Sequence, residues 1–395
     1  MECWDQDSQA VSVHLPRIMI AAEKSGGGKT LFTCALLSLL KEKIQEVRAF
    51  KCGPDYIDPM FHRTVLEIPS RNLDSFFADG DTLRYLLGRE VLEMKKIPES
   101  RIAVLEGVMG FYDGLGGVSE RSSAWEVADL TDTPVILLVD MKGRSLSALA
   151  SIKGFLDYKE KSHVTGVVFN RLSPMLYPGL KERAERELGI RVFGYVPELK
   201  NMTLESRHLG LVMPEEILGI RERLDLIKEK VRVGINLDGI IEEAGRAAEI
   251  EVKLPEAVRQ FCNVDCGTGI KKTVVAVAKD EAFCFYYEDN LDILRKLGAE
   301  IQYFSPIHDR NLPVETCAVY LGGGYPELHA KALSENISMR NAIRQAVMEE
   351  MPCIAECGGY LYLKDSIVDP DGVEWPMAGV LPGSSRDTGK LGRFG

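Results

Sequence analysis

Short, unbroken apolar runs recur along the chain, and stretches with helical spacing separate them. Residues 18–22, 101–105, 134–140 and 164–170, and the short stretch at 47–52 that also carries Arg48 and Lys51, are too short for ordinary helices and lack the strict polar alternation of a half-exposed strand. They predict strands buried on both faces. The helical stretches between them, at 31–40 and near 145–157, predict a repeated β-α-β rhythm and a parallel sheet covered on both sides. Ile217, Leu218, Ile220, Leu224, Ile227 and Val231, set among charges, predict an amphipathic helix over 214–232 that closes a first domain. From 237 to 272 the character changes to a charged helix, an irregular stretch around Cys262 to Gly269 and the pair Lys271-Lys272. A second alternation then begins: a strand at 273–278, a helix at 289–298 with glycine stop, and a strand at 300–304. The expected fold class is α/β in two domains, 17–236 and 273–395, joined by a linker at 237–272.

Composition narrows the class of partner. The chain has 395 residues, 45% of them hydrophobic and 27% charged, and a formal net charge of −11. That length accommodates two domains, and the acidic balance argues against a nucleic-acid partner. No apolar run approaches the ~20 residues that span a bilayer, so no membrane is expected. Residues 1–16 lack the basic start and apolar core of a secretory signal, and nine cysteines, an odd number, fit a reducing cytoplasm. Neither Cys262-x-x-x-Cys266 nor Cys353-x-x-x-Cys357 has the two-residue spacing and nearby histidine of a metal site.

The first apolar run leads into Glu23-Lys24-Ser25-Gly26-Gly27-Gly28-Lys29-Thr30 and then the 31–40 helix. Ser25, Gly26, Gly27 and Gly28 provide a phosphate cradle, where glycines turn backbone N–H groups inward and the helix adds its positive N-terminus. Lys29 is then placed to reach the β- and γ-phosphates and Thr30 to ligate Mg²⁺. The first glycine of the usual motif is absent: strict spacing puts Glu23 there, and a loop one residue longer puts Ala22. After the second strand, Gly53-Pro54-Asp55-Tyr56-Ile57-Asp58-Pro59 reads as a loop at the ligand edge of the sheet. Asp55 and Asp58 are candidates for Mg²⁺ or substrate, or for turn chemistry alone. Arg71, in Ser70-Arg71-Asn72-Leu73-Asp74, is a candidate fork for a carboxylate or phosphate. Glu106, directly after the apolar strand at 101–105, is the expected second Mg²⁺ contact.

In the second domain two turns carry the chemistry. Val319-Tyr320-Leu321-Gly322-Gly323-Gly324 is a strand running into glycines, and the N–H groups of Gly323 and Gly324 suit an oxyanion hole. Pro352-Cys353-Ile354-Ala355-Glu356-Cys357-Gly358-Gly359 is a short strand, a cysteine and two glycines before a helix. Cys357 therefore sits at a nucleophile elbow, while Cys353 precedes the strand and lacks the glycines. Taken alone, such a turn holds a buried structural cysteine about as often as a nucleophile.

Phe50-Lys51-Cys52-Gly53-Pro54-Asp55-Tyr56-Ile57-Asp58-Pro59, Ser70-Arg71-Asn72-Leu73-Asp74, Glu106-Gly107-Val108-Met109-Gly110 and Arg207-His208-Leu209-Gly210-Leu211 together resemble the cobyrinic acid a,c-diamide synthases, in order from about residue 17 onward. The resemblance implies a P-loop domain similar to dethiobiotin synthetase, followed by a class I glutamine amidotransferase-like domain with a flavodoxin-like sheet. It implies ATP- and Mg²⁺-dependent amidation of acetate carboxylates on a tetrapyrrole in cobalamin biosynthesis, with ammonia drawn from glutamine. Asp58 then acts on substrate or acyl phosphate, Tyr56, Arg71 and Asp74 contact substrate, and Asn170 contacts adenine by analogy with dethiobiotin synthetase. The family's activating histidine lies in a His- and aromatic-rich motif beyond position 395; His308 and His329 do not occupy its place. Amidation with ammonium salts but poor use of glutamine is therefore expected, and a homodimer is a possible assembly. Ni-sirohydrochlorin is an alternative substrate. Lys24, five residues before Lys29, leaves open a ParA- or MinD-like nucleotide-switched ATPase.

Overall fold

The computed structural model describes residues 10–93, 100–199, 219–256, 259 and 273–389. The Arg207 to Leu211 motif, Ile217, Leu218, Cys262 to Gly269 and Lys271-Lys272 lie outside them. The chain forms two compact units, Met1–Glu256 and Ala257–Gly395.

In the first unit, β1 (Val11–Val13) is followed by β2 (Arg17–Ala22), β3 (Glu46–Cys52), β4 (Ser70–Leu73), β5 (Arg101–Glu106), β6 (Val135–Asp140), β7 (Val164–Asn170), β8 (Arg191–Val196) and β9 (Ile250–Val252). Strands β2 to β8 form one parallel sheet in the order β4-β3-β5-β2-β6-β7-β8. Every residue of β2 and β6 is buried, as continuous apolar runs in a doubly covered sheet require. Registers Ile20↔Glu106, Lys51↔Glu106, Lys51↔Asn72 and Asp140↔Asn170 bring polar residues at or one short of the C-terminal ends of five strands to one sheet edge. Helix α1 (Lys29–Lys41) leaves this edge, and α2 (Ile57–Thr64) starts beside it. The helix Ile220–Gly234 buries Ile220, Leu224, Ile227 and Val231, the stripe expected from spacing.

The division at Glu256 differs from the expected linker, which began at 237. The helix Leu237–Gly245 buries Ile240 and Ala244 in the core of the first unit, and β9 pairs antiparallel with β1. Its charges are not those of a free linker: Glu243 accepts from Arg191 at 2.8 Å, which ties the helix to β8.

The second unit has a parallel sheet, β11-β10-β12-β13, built from β10 (Thr273–Ala278), β11 (Ala299–Phe304), β12 (Thr316–Leu321) and β13 (Cys353–Ala355). The helix Glu288–Lys296 is followed by Gly298 at φ 87°, the expected glycine stop. A second small sheet, β15-β14-β16, joins β14 (Lys364–Val368), β15 (Glu374–Pro376) and β16 (Leu381–Ser385). No helix among the described residues is long and apolar enough to cross a membrane.

Candidate active site

The loop between β2 and α1 is held open by two left-handed glycines, Gly26 at φ 68° and Gly28 at φ 89°. A Cβ on Gly28 would stand 2.6 Å from Asn170 Nδ2, so the position also needs glycine for close approach. Asn170, expected at the adenine, donates from Nδ2 to the Gly27 carbonyl at 2.9 Å. The amide thus ties the end of β7 to the loop itself. Lys29 is buried and donates to the carbonyls of Met109 and, at 3.5 Å, Lys24. Burial, with the Lys51 charge nearby, lowers its pKa to about 8.

Behind the loop lies a buried polar cluster. Thr30 Oγ1 donates to Glu106 Oε1 at 2.7 Å and lies 3.4 Å from Asp58 Oδ2. Lys51, only 4% exposed, donates to Asp58 and, at 3.1 Å, to Glu106 Oε1, and stands 3.5 Å from Asp55. Burial opposes ionisation of Glu106, but Lys51 and then His62 hold its carboxyl well below the usual range. Burial and the Glu106 charge push Asp58 well above its usual value. One ammonium therefore balances a group of carboxylates where water cannot.

Asp55 shows the turn chemistry expected of it and also faces the buried cluster. Its Oδ1 caps α2, accepting from the N–H of Ile57 at 2.9 Å and Asp58 at 3.3 Å, while Oδ2 faces Lys51. Tyr56 occupies the N-cap position of α2. Asn72 pins the loop from β4, donating to the carbonyls of Gly53 at 3.0 Å and Asp55 at 2.7 Å. Arg71 is half-buried in β4, and Asp74 turns into its own loop, accepting from Phe76 N at 3.0 Å. Sequence reasoning missed Lys51, Asn72 and His62. Lys51 had a signal: a lysine ending an apolar strand must be balanced by neighbouring acids.

Mg²⁺ fits these donors. The Thr30 hydroxyl and the Glu106 and Asp58 carboxylates are hard oxygen ligands, and Glu106 Oε2 is buried with no hydrogen-bond partner among the described residues. No group of three or more His, Cys, Asp or Glu residues able to hold a metal occurs among the described residues. A hydroxyl and one or two carboxylates leave positions for water and phosphate oxygens, the usual mode for Mg²⁺.

At the other side of the loop, Arg171 at φ 58° gives both arms of its fork to Asp140, one at 2.8 Å. Lys24 lies 3.4 Å from the same carboxylate, so within this chain its ammonium already has an anion.

In the second unit, Cys357 is exposed and adopts φ 47°, ψ −109°, the strained elbow expected from its flanking glycines. The helix Gly358–Tyr362 begins directly after it. A Cβ on Gly359 would stand 2.2 Å from the Leu321 carbonyl, and Gly359 N donates to Gly322 O at 2.9 Å, locking the elbow to the glycine turn. An added Cβ on Gly323 would lie 3.5 Å from Cys357 Cβ, so the two turns are adjacent. Tyr286, missed in sequence, accepts from Gly322 N at 2.8 Å and donates to Ala278 O. Among the described residues no side chain is hydrogen-bonded to the Cys357 thiol. His308 is exposed and engaged with Glu281 at 2.9 Å, and His329 occupies the N-cap position of the helix Ala330–Glu335 with no side-chain capping bond.

Residues 18–212 match the family described as the CobQ/CobB/MinD/ParA nucleotide binding domain, and residues 274–391 match the CobB/CobQ-like glutamine amidotransferase domain. Similar proteins include the cobyrinate a,c-diamide synthase of Thermoplasma volcanium, 39% identical over 378 residues, covering 95% of this chain and 79% of that one. The Listeria innocua cobyrinate a,c-diamide synthase is 39% identical over 382 residues, covering 96% and 81%. That of Priestia megaterium is 35% identical over 380 residues, covering 96% and 79%.

Proposed function

Because the chain belongs to the cobyrinate a,c-diamide synthase family, we propose that it is a glutamine-hydrolysing, ATP-dependent ligase that turns the a and c acetate carboxylates of cobyrinate into carboxamides. The observation that carries the reading is the convergence of Thr30, Lys51, Asp58 and Glu106 behind a phosphate loop.

A carboxylate is a poor acyl donor. Attack of its oxygen on the γ-phosphorus of ATP releases ADP and gives an acyl phosphate; ammonia then adds to the acyl carbon and phosphate leaves. The backbone of residues 25–28 cradles the phosphates, and Lys29 pairs with them once it exchanges its carbonyl partners for phosphate oxygens. Thr30 and Glu106 would hold Mg²⁺, with Asp55 or Asp58 at its edge, and the bound cation supplies charge neutralisation for the phosphates. Asp58 and Lys51 lie on the substrate side: the ammonium offsets the incoming carboxylate, and Asp58 orients it. Tyr56 and Asp74, on the adjoining loops, and Arg71, in β4, complete the pocket for the tetrapyrrole carboxylates.

Ammonia comes from glutamine at Cys357. The thiolate attacks the side-chain amide, the N–H groups of Gly323 and Gly324 receive the oxyanion, and a glutamyl thioester forms as ammonia leaves with a proton from water; water then cleaves the thioester to glutamate and restores the thiolate. The Lys24 to Asp140 pair supports this enzyme reading over a switch that donates Lys24 to a second copy.

The test is amidation of cobyrinate and of Ni-sirohydrochlorin, side by side, with ATP, Mg²⁺ and ammonium or glutamine, products resolved by mass. Two carboxamides on cobyrinate are expected. Preference for Ni-sirohydrochlorin would move the substrate, and ATP hydrolysis with neither would overturn the assignment.

A further inference from the structure

His62 is completely buried in the last turn of α2 and takes part in no step proposed above. Its Nδ1 lies 3.1 Å from Ser70 Oγ, at the start of β4, and its backbone carbonyl accepts from Ile68 N at 3.0 Å. Arg63, next in the helix, donates to Ser70 O at 2.8 Å, so the ring is braced from two sides. Its Nε2 points at Glu106 Oε2, 3.6 Å away. Both atoms are buried, and neither has a hydrogen-bond partner among the described residues.

Two orphaned polar atoms facing each other in a dry interior are a donor and an acceptor held just beyond bonding distance. The other carboxylate oxygen, Oε1, is taken by Thr30 and Lys51. Glu106 is thus drawn toward Lys51 on one side and faces an imidazole on the other. Any redistribution of charge around Oε1 lets Oε2 settle onto Nε2. With Glu106 Oε2 the acceptor that faces Nε2 among the described residues, the proton belongs on Nε2, and Nδ1 accepts from the Ser70 hydroxyl.

We infer that His62 is a positioning residue whose Nε2–H fixes the Glu106 carboxylate, so that Oε1 is presented to the Thr30 hydroxyl and to a hard cation there, with Ser70 setting the tautomer. Buried donors behind a ligating carboxylate act this way, and losing one weakens metal affinity about 10–100-fold. The inference rests on the reading of Glu106 as a Mg²⁺ contact.

The test is an equilibrium one. Binding of a fluorescent ATP analogue is titrated against Mg²⁺ concentration for wild type, His62→Leu, His62→Gln, Ser70→Ala and Glu106→Gln. His62→Leu should need about tenfold or more Mg²⁺ for half-maximal enhancement of binding, with metal-free affinity unchanged. His62→Gln, whose amide nitrogen reaches about as far as Nε2, should recover most of the loss, and Ser70→Ala should shift in the same direction by less. If His62→Leu does not fold, His62→Gln and Ser70→Ala decide: wild-type behaviour in Ser70→Ala together with a leucine-like loss in His62→Gln would overturn the proposal. Wild-type Mg²⁺ dependence in folded His62→Leu would also overturn it. If Glu106→Gln shifts the Mg²⁺ requirement while His62→Leu does not, only His62 is reassigned. If Glu106→Gln shifts nothing, the metal reading itself fails.

Discussion

Replacing Lys51 by methionine keeps the length of the side chain and removes its charge. Lys51 is 4% exposed and contacts Asp58, Glu106 and Asp55, so solvent cannot take over its role. Removing one partner from such a buried arrangement costs about 3–5 kcal/mol, because the remaining charges stay desolvated. For a unit of this size each kcal/mol moves the midpoint by roughly 2–4 °C, giving a fall of roughly 6–20 °C in thermal scans at pH 8. The pH dependence has a definite sign. Asp58 already has a raised pKa from burial and Glu106, and loss of Lys51 raises it further. A carboxyl that binds its proton more tightly when folded gains stability as pH falls through its folded value, so the deficit of Lys51→Met should shrink toward pH 5. Mg²⁺-ATP, which brings its own cation, should stabilise the variant more than wild type. Activity should be lost in both backgrounds of ammonia supply. A midpoint within about 2 °C of wild type at pH 8, unmoved by pH, would refute the charge-balance reasoning.

Asn170→Ala should raise the KM for ATP about tenfold by freeing the Gly27 carbonyl, without relaxing the preference for ATP over GTP; relaxed base selection would restore the adenine contact expected from sequence. Cys357→Ala should leave ammonium-driven amidation within about twofold of wild type and remove glutamine-driven amidation; a parallel fall in both rates would put Cys357 in the synthetase chemistry. Gly359→Ala, whose Cβ would meet the Leu321 carbonyl at 2.2 Å, should destabilise the second unit by about 1–3 kcal/mol and slow glutamine use, as read by calorimetry and by the glutamine-to-ammonium rate ratio.

What could be read from sequence was what local chemistry dictates. The runs at 18–22 and 134–140 are unbroken because their strands are covered on both faces, and Gly26 and Gly28 are needed where φ turns positive. Cys357 was identified by its flanking glycines, and its strained elbow and the contact of Gly359 with Leu321 follow from them. Sheet order was not legible, because neighbours such as Lys51 and Glu106 are 55 residues apart and meet only through register. For that reason the partners of Lys51 were not legible, and His62 lay outside every motif read from the sequence. The helix Leu237–Gly245 was taken for linker because it is short and carries three acids, while its apolar positions Leu237, Ile240, Ile241 and Ala244 find the core only in the folded unit. Strands β14 to β16 went unseen: they are short, carry prolines or serines, and lack alternation.

Activation of a carboxylate by the γ-phosphate of ATP leaves a direct trace. When cobyrinate labelled with ¹⁸O in its acetate carboxylates is incubated with the protein, Mg²⁺-ATP and ammonium, each amide formed should be matched by one inorganic phosphate carrying one ¹⁸O from the carboxylate. Amide formation with unlabelled phosphate, or phosphate release with no amide, would contradict the account.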